Sequence, residues 1–305
     1  MPAPKKPRGK ATSIVPQPKT KTAVAGGALP DRRAMESYLA AIGARRRDDA
    51  IAKAQDVMYE AWDRTSSRSR IALAHKALTI SPLCADAYNL LAAEAATPAE
   101  ERDLYARGLD AGELALGPEG FKEYDGHFWG FLETRPYMRA RHGLALALLK
   151  LGEEEEAMKH FRAMLKLNPG DNQGIRYLLL GCLLKRNDIA AVKELLAAYE
   201  DEWSAYWLYT RALVAFREGH ASEQQALRLV QDAWSANQHL PAILAGAEPP
   251  VTSHSGYITM GGADEATDYV RDCGPAWHQT PGAVAWLNQL VAALPKKPHA
   301  SGTAH

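Results

Sequence analysis

Apolar side chains recur along this chain at helical rather than strand spacing, most clearly between Arg135 and Asn172. Pro136 suits the first turn of a helix, where its missing N–H costs nothing. Leu144, Leu148 and Leu151 mark one face, and Gly152 ends the element. A second helix is predicted from Glu153, with Ala157, Phe161, Met164 and Leu165 as its apolar stripe and Asn168-Pro169 as its stop. Its four leading acids, Glu153 to Glu156, suit the positive end of the helix dipole. Two helices joined by a tight glycine turn make a hairpin.

The hairpin resembles a tetratricopeptide repeat, whose period is about 34 residues. Moving from Leu144, Leu148, Ala157 and Phe161 by that step reaches Leu178, Cys182, Ala191 and Leu195, all small or apolar. A further step reaches Arg211, Ala215 and Gly219, with Ala226, Val230 and Ala233 on the partner helix. Upstream, Ala74, Ala77 and Pro82 close one hairpin, and Tyr88, Leu91, Ala92 and Ala95 open the next. The expectation is an all-α chain: a right-handed α-solenoid of about five such hairpins with a C-terminal helical cap.

The remaining pattern sets the boundaries. Residues 1–30 are rich in Pro, Lys, Ala, Thr and Gly and carry almost no large apolar side chains, so a disordered basic arm is expected. Short and long helices follow near Arg33–Ala44 and from Asp48, and the repeat domain is assigned to residues 31–294. Thr97-Pro98 reads as an N-cap and a first-turn proline. Between Gly117 and Thr134 the periodicity breaks, and Phe121, Tyr124, Phe128, Trp129 and Phe131 crowd into the connection. Aromatics so dense imply a loop folded onto the core, with an exposed binding spot as the alternative. A capping region is expected over 241–294, with Trp277, Trp286 and Leu287 covering the open end, then a tail from 295 to 305.

Composition adds limits. Of 305 residues, 47% are hydrophobic and 24% charged, which is globular, and 36 basic residues balance 36 acidic ones. No overall field steers the chain towards nucleic acid or membrane, so only the basic arm offers a nucleic-acid contact. Cys84, Cys182 and Cys273 lie far apart without metal-ligand spacing and read as buried reduced thiols. No apolar run reaches the length of a membrane span, and no signal sequence is evident. A soluble cytoplasmic protein without metal or cofactor is the expectation.

More particular stretches narrow the resemblance. The runs S-P-L-C-A-D-A-Y (81–88), G-H-F-W-G-F-L-E-T-R-P-Y-M-R-A-R (126–141) and N-P-G-D-N-Q-G-I-R-Y (168–177) are similar to bacterial proteins of the suppressor-of-tumorigenicity family of tetratricopeptide repeat proteins. The likeness covers roughly residues 45 to 290. It implies a helical scaffold for protein interaction and carries no catalytic motif.

In such arrays the first helix of each pair faces an inner groove. Helical periodicity then places Asp86, Asn89, Arg139, His142, Gln173, Arg176, Tyr177, Tyr206, Tyr209 and Thr210 on that wall. Arginines and tyrosines on one strip suit an extended acidic peptide or a C-terminal carboxylate. The strip is not the lysine–asparagine carboxylate clamp of some repeat proteins; only Asn89 and the basic character resemble it. Two other readings stand beside this one: an adaptor that reaches nucleic acid through the arm, and an enzyme with a pocket formed by His127, Glu133 and Arg135. Asp171 with Arg176, and Glu133 with Arg135, are candidate ion pairs between repeats.

Overall fold

The computed structural model describes residues 29–219, 222–251 and 258–294. Every regular element among them is a helix. In chain order these are α1 (Arg32–Ala41), α2 (Ala44–Trp62), α3 (Ser67–Ile80), α4 (Ala85–Ala93), α5 (Pro98–Glu123), α6 (Arg135–Lys150) and α7 (Glu154–Leu167). They continue as α8 (Ile175–Lys185), α9 (Ile189–Ala198), α10 (Ala205–Glu218), α11 (Glu223–Ala236), α12 (Leu240–Leu244), α13 (Ala263–His278) and α14 (Ala283–Ala293). Residues 1–28 of the basic arm, and the tail from 295, lie outside the described residues.

Five hairpins pack as sequential pairs: α2 with α3, α4 with α5, α6 with α7, α8 with α9, and α10 with α11. Their ends follow local chemistry. Asp31 caps α1 by accepting from Ala34 N at 2.9 Å, and Thr97 caps α5 by accepting from Glu100 N at 3.2 Å. Gly152 takes a left-handed φ of 79° between α6 and α7, where a side chain would be strained. The glutamates that open α7 reach neighbouring helices: Glu153 faces Arg102, Glu154 pairs with Lys185, and Glu155 with Arg186.

Packing is closest where α5 crosses α6. A Cβ at Gly112 would stand 3.1 Å from Tyr137 Cα of α6, and one at Gly108 3.4 Å from Ala140 Cβ of α6 and 3.2 Å from Tyr88 Cβ of α4. This small-residue stripe lets backbones approach in a way that larger side chains forbid.

Three features depart from the sequence reading. α5 does not stop at Leu116: Gly117 turns the chain with φ 62°, and Pro118 restarts the helix to Glu123. The irregular connection is therefore Tyr124–Thr134. Its Phe128 folds inward, fully buried with its ring 6.0 Å from that of Tyr137, but Phe131 stays exposed. Finally, α13 does not merely cover the open end. It packs against α8 and α10, while α14 packs against α11. A Cβ at Gly181 of α8 would come within 3.6 Å of Asp272 O, so α13 lies close to that helix.

Candidate functional site

A cavity of about 660 Å³ opens between the end of α2, the start of α3, and helices α4, α5 and α6. Its organising group is Asp86, fully buried yet ionisable, on the first turn of α4. A buried carboxylate needs donors for its lone pairs. Arg139 of α6 supplies two, from Nε to Oδ1 at 2.9 Å and from Nη2 to Oδ2 at 2.5 Å. Gln55 Nε2 of α2 donates to Oδ2 at 2.9 Å, and Asn89 Nδ2 to Oδ1 at 3.1 Å. One carboxylate thus ties three helices together.

The Arg139 guanidinium also lies over the ring of Trp62, 5.7 Å from its centroid, as a cation–π contact. Trp62 ends α2 and is 44% exposed, with Tyr59 beside it at 5.6 Å. Leu90, Leu146 and the ring of Tyr105 form the apolar floor. Tyr105 fits only because position 143 is glycine; a Cβ there would stand 2.2 Å from its ring. Across the mouth, Arg70 pairs with Glu94, which also accepts from Ser67 Oγ at 2.6 Å. Arg70 Nε, Asn89 Oδ1 and His142 Nε2 are buried without a hydrogen-bond partner. Burial holds the His142 pKa below the ordinary histidine value, so the ring is neutral near pH 7. Among the described residues, no serine, threonine, cysteine or lysine lines this cleft.

Asp86, Asn89, Arg139 and His142 therefore come together as expected, although Asp86 and Asn89 are buried beneath the surface rather than displayed on it. The other six groove candidates do not form an open wall. Tyr206, Tyr209 and Thr210 are buried under α13. Tyr206 donates to Asp272, Thr210 Oγ1 sits 3.3 Å from Tyr269 Oη, and Tyr209 donates to Asn237 O at 2.6 Å. Arg176 is committed within the chain, to Asp171 Oδ2 at 3.1 Å, to Glu202 Oε2 at 2.5 Å and to Tyr177 Oη at 3.0 Å. Tyr177 packs in turn at a tilt against Tyr206 and edge-to-face against Trp207. Gln173 is half-buried, with its Oε1 unpartnered. The reason is simple: α10 buries every residue from Ala205 to Thr210, which a helix does only when covered on all sides.

Burial raises the Asp171 carboxyl, against the pull of Arg176 and two backbone N–H groups. Glu202 is held below its ordinary value: burial opposes this, but Ser204 N–H and Arg176 outweigh it. The expected Asp171–Arg176 pair is present, whereas Arg135 turns to Trp129, donating to its carbonyl at 3.0 Å and stacking on its ring. His127 and Glu133 are exposed on the same connection, and among the described residues neither is hydrogen-bonded or ion-paired to Arg135. The three cysteines are buried and free, and burial pushes Cys84 to about 12 and Cys182 to about 11. Among the described residues no helix is long and apolar enough to cross a membrane.

The sequence reading missed Trp62, Arg70, Glu94, Tyr105 and Leu146. Trp62 falls in phase with Met58 and Val57 and so reads as core. Its position as the last residue of α2, where no further turn covers it, is the signal that separates it from them.

Residues 45–291 match the family described as ST7 protein. The Protein ST7 homolog of Drosophila pseudoobscura pseudoobscura is 29% identical over 265 residues, covering 79% of this chain and 48% of that protein. The Suppressor of tumorigenicity 7 protein-like of Gallus gallus is 28% identical over 264 residues, covering 79% and 47%. The Suppressor of tumorigenicity 7 protein of Macaca fascicularis is 28% identical over 286 residues, covering 79% and 53%. These are animal proteins, whereas the runs at 81–88, 126–141 and 168–177 resemble bacterial members of the family. The chain spans about half the length of the curated relatives it matches.

Proposed function

This chain belongs to the ST7 family, and from that premise we propose that it is a non-enzymatic interaction scaffold. In this reading it is a right-handed α-solenoid of about five tetratricopeptide-like hairpins, working in a reducing cytoplasm. Its ligand is an extended peptide or C-terminus laid in the cleft between α2, α4 and α6. The single observation that carries the reading is that cleft, about 660 Å³ with an apolar floor, an exposed Trp62 at its rim and Arg139 above it.

The expected ligand charge is modest. Arg139 and Arg70 already face Asp86 and Glu94, so the strip is close to neutral. An apolar or aromatic anchor packed on Trp62 and Leu146, with one carboxylate beside Arg139, fits better than a polyacidic run. Preformed helices leave most of the ordering cost with the peptide. The reducing setting is supported by three buried free thiols.

The test is selection of peptides from a displayed library on the full chain, followed by fluorescence anisotropy. Trp62→Ser, at an exposed site, should weaken the selected peptides tenfold or more. Peptides that bind Trp62→Ser as tightly as the parent chain would remove this site.

A further inference from the structure

The two edges of the hairpin stack differ in chemistry. Turns within a hairpin are polar, as in Asp63-Arg64-Thr65-Ser66 and Arg186-Asn187-Asp188. Two of the turns between hairpins, α5–α6 and α9–α10, carry large exposed apolar side chains: Phe131 at 44%, Leu132 at 64% and Trp203 at 66%. Scattered exposed apolar residues need no explanation, but these share one edge, with Phe131 and Leu132 on the α5–α6 turn, Trp203 on the α9–α10 turn and the α7–α8 turn between them. Tyr124 and Phe131 stack at 4.7 Å within the α5–α6 turn. That turn is joined to the α7–α8 turn by Phe128 N donating to Leu167 O at 3.2 Å and Trp129 N to Asn168 Oδ1 at 3.3 Å. The α7–α8 turn is joined to the α9–α10 turn by Arg176 and Glu202.

The same three turns, 124–134, 168–174 and 199–204, hold six acids and neither lysine nor arginine. Asp171 and Glu202 are used by Arg176, which leaves Asp125, Glu133, Glu200 and Asp201 exposed around the rings. An apolar patch rimmed by one sign of charge selects its partner by complementarity. Anionic lipid headgroups are repelled by such a rim, and two copies meeting edge to edge would set acid against acid.

We propose that this edge is a second docking surface, distinct from the cleft, for a cationic amphipathic segment of a partner protein. Its apolar side chains cover Phe131, Leu132 and Trp203, and its lysines or arginines meet the four free carboxylates.

The probe is a synthetic 18-residue peptide with leucine on one helical face and lysine on the other, titrated into the full chain by fluorescence anisotropy. Its counterpart carries glutamate for lysine. The lysine peptide should bind, the glutamate peptide should not, and affinity should fall as salt rises. The triple variant Phe131→Ser, Leu132→Ser, Trp203→Ser should bind at least tenfold more weakly. All three side chains are exposed and only Phe131 gives up a ring contact, to Tyr124, so its melting curve should stay close to the parent's. Asp125→Asn with Glu133→Gln, Glu200→Gln and Asp201→Asn should weaken binding and flatten its salt dependence. Unchanged affinity in the triple variant, or equal binding of both peptides, overturns the proposal. Binding to neutral phosphatidylcholine vesicles that the triple variant loses would assign the edge to lipid instead and overturn it too. Trp62→Ser leaves this measurement unchanged, which keeps the result separate from the cleft.

Discussion

The Tyr206 hydroxyl donates to Asp272 Oδ2 at 2.8 Å, and this contact helps hold α13 over the face of α10 that carries Tyr206. It joins α10 to α13, whose Tyr269 and Trp277 are fully buried, with Trp277 Nε1 donating to Tyr269 Oη at 2.8 Å. The cover is thus part of the core and not a detachable lid. Tyr206→Phe should cost about 1 kcal/mol, because Asp272 keeps Arg271 as a partner. Trp277→Ala should cost about 3–5 kcal/mol through the cavity it leaves. Urea unfolding followed by circular dichroism measures both. Equal, small effects would show that α13 is not held as described.

The Asp86–Arg139 pair should behave as one unit. Asp86→Ala removes a fully buried carboxylate but strands the donor of Gln55 and leaves Asn89 Nδ2 with Pro136 O alone, so a loss of about 2–3 kcal/mol is expected. Arg139 is part-exposed, which keeps the figure below that of a fully buried pair. In a double-mutant cycle with Arg139→Ala the two losses should fall short of additivity by about 1–3 kcal/mol. Strict additivity would mean that the two side chains do not share an interaction.

Gly112→Ala tests the helix crossing. The added methyl would stand 2.9 Å from Tyr137 Cβ and 3.1 Å from its Cα, and backbone atoms of α6 cannot step aside as a flexible side chain does. A loss of about 1–3 kcal/mol is expected, although alanine is the better helix former. A gain in the unfolding midpoint would show that α5 and α6 pack less closely.

Much of this was legible because amphipathic helices announce themselves at a period of 3.6 residues. The α6–α7 hairpin ends within a residue or two of where Pro136, Gly152 and Asn168 place it. What periodicity does not carry is the partner of each face. α13 reads as an amphipathic helix, yet nothing in its spacing says that it lies on α8 and α10. A partial signal was present in Ala205-Tyr206-Trp207-Leu208-Tyr209-Thr210, which is too apolar on every side to face solvent. Gly117-Pro118 misled in the other direction. The pair reads as the end of order, whereas the glycine makes one turn and the proline starts the next helix.

Acid should weaken the fold through His160. Burial first, and then the Arg141 guanidinium, lower its pKa from 6.5 to about 4, with Glu156 pulling weakly the other way. Arg141 Nη1 faces His160 Nδ1 at 3.4 Å, which favours the ring with that nitrogen unprotonated. Between pH 6.5 and about 4 the unfolded chain therefore binds a proton that the folded chain refuses. Stability is complete above that window and declines as pH falls through it, by at most ~1.4 kcal/mol per pH unit for one proton. His142, lowered by burial, adds a decline of the same sign. Glu202 also loses stabilising charge on acidification, but only below its ordinary carboxylate range, and Asp171 acts in the opposite sense. Comparing the parent with His160→Gln isolates the histidine from these carboxylates. The variant's urea midpoint should fall less between pH 7 and pH 5 than the parent's does, and parallel curves would show that His160 takes up its proton equally well in both states.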